Sequence, residues 1–123
     1  TDLSGASQIF MGGVVSYTNQ VKARVLGVPQ ALLDEYGAVS EPVARAMAEG
    51  VRRITGADVG VSVTGVAGPD RDDRGNEVGT VYIALTCADG THSRLCRFGA
   101  LSRAEIRTKA ADAVFALVQS KLG

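Results

Sequence analysis

The sequence predicts an α/β fold, a layered sandwich in which helices flank a mixed central sheet. In some segments apolar residues recur every three or four positions, as in helices with one buried face. Other segments are short runs rich in β-branched residues, and the two kinds alternate along the chain. The length of 123 residues suits one domain, and 46% hydrophobic with 21% charged residues is typical of a globular protein.

The first half of the chain is predicted to contain one short strand and three helices. Residues 12–17 form a strand-like run, after which Thr18 is suited to cap a short helix. Residues 28–37 predict a second short helix. Ser40 is expected to cap a longer helix that ends at Gly56. The buried face of this third helix is predicted to consist of Val43, Met47, Gly50, Val51 and Ile54.

The second half predicts a buried strand, a hairpin and a final helix. Residues 59–64 form a β-rich run with little charge, which is typical of a central strand covered on both faces. Residues 79–87 and 91–98 are predicted to pair as a hairpin. Ser102 is suited to cap the last helix. The apolar stripe of that helix is Ile106, Ala110, Ala113, Val114, Leu117 and Leu122.

Charge and hydropathy disfavour two classes of partner. Thirteen basic residues balance thirteen acidic ones without a basic run, and the chain has no Trp, so we expect no nucleic acid partner. The apolar stretches are far shorter than the roughly 20 residues that cross a bilayer. No charged leader precedes an apolar segment at Thr1, so we predict neither a membrane span nor a signal peptide. A cytoplasmic protein is therefore expected.

Two cysteines lie on the predicted hairpin. If Asp89 and Gly90 are the two turn residues, Cys96 faces Ile83 and lies about 13 Å along the hairpin from Cys87, at about 3.3 Å per residue. This separation is too large for a disulfide. Two unpaired thiols suit a reducing cytoplasm.

The loop at residues 65–69, directly after the predicted central strand, is the first candidate site. Its glycines match neither the P-loop, which needs a following lysine, nor the dinucleotide fingerprint. A glycine-rich loop at a strand end nevertheless lets backbone N–H groups approach an anion, and open α/β sheets bind ligands at such ends. A tight turn without a ligand explains the same residues. Both interpretations remain open at this point.

Two other polar features predict no site. Residues 70–75 resemble a calcium-binding loop at its first, third and sixth positions, but Arg74 and Val81 occupy the fifth and twelfth. We therefore expect no metal and predict a solvated loop. His92 is the only histidine and lies in the predicted hairpin, which disfavours catalysis by a histidine-activated nucleophile.

Tyr17 and Lys22 form the second candidate cluster. Without a well-placed histidine, a lysine whose pKa is lowered by burial can serve as the base for a nucleophile. Lys22 lies five residues after Tyr17, so the phenol and the amine can meet if the turn between them folds back. A packed aromatic ring and a solvated lysine explain the same spacing.

Four motifs, in order, resemble the CinA C-terminal domain family. They are Gly-Gly-Val-Val-Ser-Tyr-Thr-Asn-Gln-Val-Lys at 12–22, Gly-Ala-Val-Ser-Glu-Pro at 37–42, Val-Thr-Gly-Val-Ala-Gly-Pro at 63–69 and Val-Gly-Thr-Val-Tyr at 78–82. The resemblance implies a nicotinamide-nucleotide amidohydrolase, which converts nicotinamide mononucleotide to nicotinate mononucleotide and ammonia in pyridine-nucleotide salvage. It also implies a bacterial cytoplasmic enzyme that uses no metal or cofactor and forms a homo-oligomer.

The resemblance also assigns residues. It implies a serine nucleophile assisted by two catalytic residues, Tyr17 and Lys22. Arg103 would receive the phosphate of the nucleotide substrate, and Arg107, one helical turn later, is the alternative. The complete set of substrate-binding residues that the resemblance implies is Asn19, Thr64, Gly65, Gly68 and Arg103.

One motif of the family does not occur in this sequence. The family's serine lies in a Ser-Cys-Thr-Gly-Gly segment at a helix start, and neither Ser7 nor Ser16 has that context. We therefore interpret residues 1–123 as an amidohydrolase domain that is incomplete at its N terminus, with the nucleophile expected before Thr1. The alternative is a catalytically inactive nucleotide-binding or interaction domain.

Overall fold

The computed structural model describes residues 4–122 and confirms the predicted α/β class. The helix at Glu41–Thr55 covers one face of a sheet and the helix at Arg103–Leu122 covers the other, so the fold is layered as expected. The elements are a 3₁₀ turn (Ala6–Gln8), α1 (Asn19–Arg24), α2 (Gln30–Tyr36), α3 (Glu41–Thr55), β1 (Gly60–Gly65), β2 (Thr80–Cys87), β3 (Gly90–Arg97) and α4 (Arg103–Leu122).

The sheet differs from the predicted mixed sheet. Its three strands lie in the order β1-β2-β3, and both pairings within residues 4–122 are antiparallel. Parallel neighbours need a long crossover connection, which is usually a helix. Neither the β1–β2 connection nor the β2–β3 turn contains one.

Strand β1 lies at an edge of the described sheet, although its sequence predicts a central strand. The side chains of Ser62 and Thr64 are buried, while Val61 and Val63 are 39% and 42% exposed. The β-rich run was misleading because the buried face of β1 is the one that carries small and polar residues. The central strand is β2, which is paired on both edges.

Each face of β2 packs against a different helix. Ile83 and Leu85 pack against the buried stripe of α4, which includes Ile106 and Leu117. On the opposite face, Ala84 packs against alanines of α3. The other side of α3 forms a second core with the segments around α1 and α2, made up of Leu26, Val28, Leu33, Val43 and Met47.

The helix ends confirm one predicted cap and correct two predictions of burial. Ser102 and Glu105 form a reciprocal capping box at the start of α4, with N–H to side-chain oxygen distances of 3.2 and 3.3 Å. Ile54 and Leu122 were predicted to be buried, but each is 48% exposed because it lies in the last turn of its helix.

None of the helices in the described part of the chain combines the length and hydrophobicity needed to cross a membrane.

The hairpin turn lies one residue earlier than predicted. Its two central residues are Ala88 and Asp89, because Cys87 pairs with Gly90. Within this turn, at residues 87–90, only Gly90 has a positive φ, of 124°, whereas the predicted type I′ turn needs positive φ at both central residues. Cys96 lies opposite the β2 residue six positions before Cys87, about 20 Å away at about 3.3 Å per residue. Both thiols are free, as predicted.

Residues 12–17 are irregular, although the sequence predicts a strand there. The side chains of Val15 and Tyr17 are 93% and 88% exposed. These residues have no neighbouring strand within residues 4–122 to bond their N–H and C=O groups, and a strand needs such a partner.

Candidate functional site

Lys22 is a buried lysine at the centre of the second candidate cluster. Its side chain is 6% exposed, and its Nζ donates a 2.8 Å hydrogen bond to the backbone oxygen of Ser16. The hydroxyl of Thr18, two residues after Ser16, caps α1 by accepting a hydrogen bond from the N–H of Val21. Within residues 4–122, Lys22 forms no ion pair with a carboxylate. Burial therefore lowers the pKa of Lys22 from its ordinary value.

This burial predicts a stability effect that depends on pH. Between the lowered pKa of the folded state and the ordinary value, the unfolded chain binds more protons at Lys22, so the free energy of unfolding rises with pH. In the variant Lys22→Met this titration is absent. We expect the unfolding free energy of the wild type, relative to Lys22→Met, to increase between pH 8 and pH 10 in urea titrations. Lys109→Met, at an exposed position, is the control. The prediction would be contradicted if the difference in unfolding free energy between the wild type and Lys22→Met were the same at pH 8 and at pH 10.

Tyr17 lies five residues before Lys22, and its phenol is not hydrogen-bonded to the amine of Lys22. Its ring is 88% exposed, and its hydroxyl has no hydrogen-bond partner within residues 4–122. The turn folds back far enough to bring the amine to Ser16, the residue before Tyr17, without joining the phenol to the amine. Asn19, the first residue of α1, is also exposed. Both side chains are therefore accessible to a ligand.

Thr64 and Gly65 end β1 and begin the first candidate site, the glycine-rich loop. The hydroxyl of Thr64 is buried and donates a 2.7 Å bond to the backbone oxygen of Ala38. Its hydrogen is therefore committed, and only the oxygen lone pairs remain to accept a bond from a ligand. Gly65 has no room for a Cβ, which would lie 2.7 Å from the Val81 side chain. This glycine thus allows the close approach of β1 and β2.

The loop after β1 presents two unused donors. Gly68 has φ of 87°, a conformation that favours glycine, and Val66 is held by a 2.9 Å bond from its N–H to the oxygen of Thr80. The N–H groups of Ala67 and Gly68 donate to no acceptor among the described residues. They can therefore bind a ligand oxygen, as the anion interpretation of this loop requires.

The two arginines of α4 have different surroundings. Nη1 of Arg103 donates a 3.0 Å hydrogen bond to the backbone oxygen of Gly68, so Arg103 holds the loop. Arg107 makes no hydrogen bond or ion pair within the described residues. Instead it lines a groove of about 320 Å³ between β1 and α4, and no other lining residue is charged. The groove is otherwise lined by Val63, Gly65, Ala67, Val81, Ile106, Ala110 and Ala111.

The two clusters are not joined directly by hydrogen bonds in the described part of the chain. Lys22 bonds to Ser16, whereas Thr64 bonds to the α2–α3 connection. In residues 4–122, no group of three or more His, Cys, Asp and Glu side chains is arranged to bind a metal ion.

The polar loop at residues 70–77 is held by hydrogen bonds. Residues 70–75 are mostly exposed, in line with the predicted solvated loop, and the guanidinium of Arg74 bonds to backbone oxygens at the end of α2. The carboxylate of Asp72 accepts three hydrogen bonds, two of them from Asn76. The pattern of an aspartate followed by Gly75 and an asparagine is a turn signal that could have indicated this order.

The family model of the CinA C-terminal domain matches residues 1–122. The chain is 57% identical over 91 residues to a protein of Desulforudis audaxviator named as competence-damage inducible, an alignment that covers 74% of this chain and 22% of that protein. It is 50% identical over 108 residues to a CinA-like protein of Geobacter sulfurreducens, covering 88% of this chain and 26% of the relative. The chain thus spans about a quarter of the length of the curated relatives it matches.

Solved structures with the same arrangement also resemble this chain. A competence/damage inducible protein from Agrobacterium tumefaciens is 34% identical with a TM-score of 0.87, over 95% of this chain and 72% of that one. A competence or damage-inducible protein from Enterobacter asburiae is 29% identical with a TM-score of 0.94, over 98% of this chain and 76% of that one.

Proposed function

The chain belongs to the CinA C-terminal domain family, and on this premise we propose that it forms part of a nicotinamide mononucleotide deamidase. The reaction hydrolyses the carboxamide to nicotinate mononucleotide and ammonia. The observation that best supports the proposal is the burial of Lys22 without a carboxylate partner among the described residues. A lysine in these surroundings loses its proton more readily than an exposed one.

In the proposed mechanism, Lys22 acts as the base for a serine nucleophile. The serine belongs to the Ser-Cys-Thr-Gly-Gly segment that the family resemblance implies. Its oxygen attacks the carboxamide carbon while its proton moves to the neutral amine of Lys22. The protonated amine then returns a proton to the amide nitrogen, and ammonia leaves. Water hydrolyses the resulting ester with Lys22 again as the base, which releases the nicotinate product.

Tyr17 has a supporting role in this mechanism. Tyr17 directly follows Ser16, the residue that accepts the hydrogen bond of Lys22, and its side chain is exposed. A phenol in that position can pass a proton between the amine and the departing ammonia, after a change of its side-chain rotamer. The exposed Asn19 offers an amide to a substrate held beside α1.

The glycine-rich loop and the α4 groove are proposed to hold the substrate. The free N–H groups of Ala67 and Gly68 can bind an oxygen of the substrate. Arg107 is the better-placed cation for the phosphate, because Arg103 is already bonded to the loop. The apolar walls of the groove suit the flat pyridine ring or the sugar face, and a volume of about 320 Å³ lies within the range of ligand sites.

The activity is tested in a protein that joins residues 1–123 to a Ser-Cys-Thr-Gly-Gly segment. Nicotinamide mononucleotide is added, and ammonia and nicotinate mononucleotide are quantified together. We expect the two products in equal amounts. A variant in which the serine of that segment is replaced by alanine is the matched control and should release neither. Equal product formation by both proteins would refute the mechanism.

The role of Arg107 predicts a substrate-dependent effect. Arg107→Gln removes a charge-assisted contact with the phosphate, so we expect KM for nicotinamide mononucleotide to rise about tenfold or more. KM for nicotinamide riboside, which has no phosphate, should stay unchanged. Arg103→Gln is the comparison variant in the same assay. An effect on the riboside as large as that on the nucleotide would contradict a phosphate contact at Arg107.

A non-catalytic nucleotide-binding domain is the second candidate. It is favoured by one observation: the amine of Lys22 donates to a backbone oxygen, and no hydroxyl group among residues 4–122 is hydrogen-bonded to it. Calorimetry distinguishes the candidates. Binding of nicotinamide mononucleotide without ammonia release, in the protein that includes the Ser-Cys-Thr-Gly-Gly segment, would support the second candidate.

A further inference from the structure

We propose that Arg74 is a positioning residue that fixes the glycine-rich loop at residues 64–69. It acts through the polar loop at residues 70–77, which it anchors to the end of α2. The substrate role of residues 64–69 rests on the proposed function, whereas the anchoring is argued from contacts alone.

The guanidinium of Arg74 binds the carboxyl end of α2. Its nitrogens donate to the backbone oxygens of Glu35, at 3.1 Å, Leu33, at 3.3 Å, and Asp34. The last carbonyls of a helix have no partner within the helix and carry its negative dipole end, so a cation there is doubly favoured. Gly37 fits this contact, because a Cβ at that position would lie 2.8 Å from Cγ of Arg74.

Asp72 organises the loop that carries Arg74. Its Oδ1 accepts hydrogen bonds from the backbone N–H groups of Arg74, at 3.1 Å, and Asn76, at 2.7 Å. Its Oδ2 accepts a 2.7 Å bond from the Asn76 side-chain amide. The loop is therefore folded on itself, and a displacement of Arg74 is transmitted to Asn76.

Asn76 and Thr64 connect this loop to the α2–α3 connection. The Asn76 amide donates to the oxygen of Val39 at 3.4 Å, and the Thr64 hydroxyl donates to the neighbouring oxygen of Ala38 at 2.7 Å. Thr64 lies at the start of the glycine-rich loop and Asn76 lies beyond its end. The longer stretch from Thr64 to Asn76, which contains the glycine-rich loop, is thus fixed at both ends to two adjacent residues of one connection.

These contacts bear on ligand binding because they restrict the backbone between the two ends. The unused N–H donors of Ala67 and Gly68 lie within that stretch. Donors that are held in place before the ligand arrives bind it without a further loss of conformational entropy. If Arg74 is removed, the loop is expected to open locally, while the core of α3, α4 and the sheet is unaffected.

The test measures amide hydrogen exchange by NMR in the 123-residue chain. Val66, within the glycine-rich loop, is the reporter, because its N–H is hydrogen-bonded to the backbone oxygen of Thr80 in β2. In Arg74→Ala we expect its exchange to become about tenfold faster. The N–H of Ile106, in the first turn of α4, should be unchanged, whereas a global loss of stability would accelerate both.

Arg71→Ala is the matched control, because Arg71 lies in the same loop but makes only exposed 3.4 Å contacts with Gly75 and Glu77. It should leave the exchange of Val66 unchanged. Asp72→Ala, which disorders the loop without removing the guanidinium, should make the amide exchange of Val66 faster, as Arg74→Ala does. Faster exchange that is confined to residues 70–77 in both Arg74→Ala and Asp72→Ala would overturn the proposal.

Nucleotide affinity provides the second readout. The dissociation constant for nicotinamide mononucleotide, measured by calorimetry, should rise about tenfold in Arg74→Ala and remain unchanged in Arg71→Ala. An unchanged affinity in Arg74→Ala would overturn the positioning role. If the amide exchange of Val66 becomes faster in Arg74→Ala as expected, but the wild type does not bind the nucleotide, the anchoring holds and the proposed function fails. The two failures are therefore distinguishable.

Discussion

Lys22→Ala is expected to lower the rate of ammonia release from nicotinamide mononucleotide about a hundredfold or more. A positioned general base contributes roughly 10²- to 10⁴-fold to catalysis, and Lys22 has no carboxylate ion-pair partner within residues 4–122. The measurement is kcat in the protein that joins residues 1–123 to a Ser-Cys-Thr-Gly-Gly segment. Since the substrate contacts are proposed to lie elsewhere, KM should change little.

Two further variants define this prediction. Lys22→Arg should be as inactive as Lys22→Ala, because a guanidinium keeps its proton at neutral pH and cannot act as a base. Lys109→Ala, on the exposed face of α4, should retain the full rate. In the active protein the rate should rise with pH as the amine of Lys22 loses its proton, in line with its lowered pKa. Turnover by Lys22→Arg at the wild-type rate would rule out Lys22 as the base.

Gly50→Ala is expected to lower the free energy of unfolding by about 3 kcal/mol, and the melting temperature by roughly 10 °C. Gly50 lies in the middle of α3, where alanine is ordinarily favoured by about 1 kcal/mol over glycine. Here a Cβ would lie 2.0 Å from the backbone oxygen of Leu26. Because a backbone atom cannot move aside as the end of a side chain can, the steric cost exceeds the gain in helix propensity.

Gly56→Ala is the control for this effect. Gly56 ends the same helix with φ of 70°, and a Cβ there would meet nothing within 4 Å. Its substitution costs only backbone strain, about 1 kcal/mol. Thermal unfolding of both variants separates the two mechanisms. A smaller loss in Gly50→Ala than in Gly56→Ala would show that α3 moves away from Leu26 at little cost.

The helices could be predicted because their signals are local. The cap at Ser102 and the stop at Gly56 lie where the sequence indicates, and the spacing of apolar residues identifies most of the buried face of α4. The ends of the apolar stripes could not be predicted in the same way. Burial of Ile54 or Leu122 depends on whether another element extends over the last turn of the helix, which is a tertiary property.

The strands were harder to predict because pairing is not local. The β-rich sequence of residues 59–64 does not reveal that β1 has a single neighbour in the described sheet. Residues 12–17 have a strand-like sequence but no partner among the described residues. The Asp89-Gly90 pair indicates a turn correctly, but its sequence does not specify whether the glycine is a central residue or follows the turn.

The residue types in the sequence locate the candidate site, but the contacts within the site could not be predicted from them. Spacing and motif place Lys22 and Thr64 among the candidates, whereas their bonds to Ser16 and Ala38 depend on how distant segments meet. Arg74 was missed for the same reason. It was interpreted as a residue that spoils a calcium loop, and its partners at the end of α2 lie about 40 residues away in sequence.

The exposed edge of β1 also affects how this polypeptide should be handled. Val61 and Val63 present apolar surface beside backbone groups that have no strand partner on that side in the described sheet. Such an edge is a template on which polypeptides join into intermolecular sheets, and natural proteins usually protect it with charges or a covering segment. Concentrated samples of the 123-residue chain should therefore begin to aggregate at β1, well before any helix unfolds.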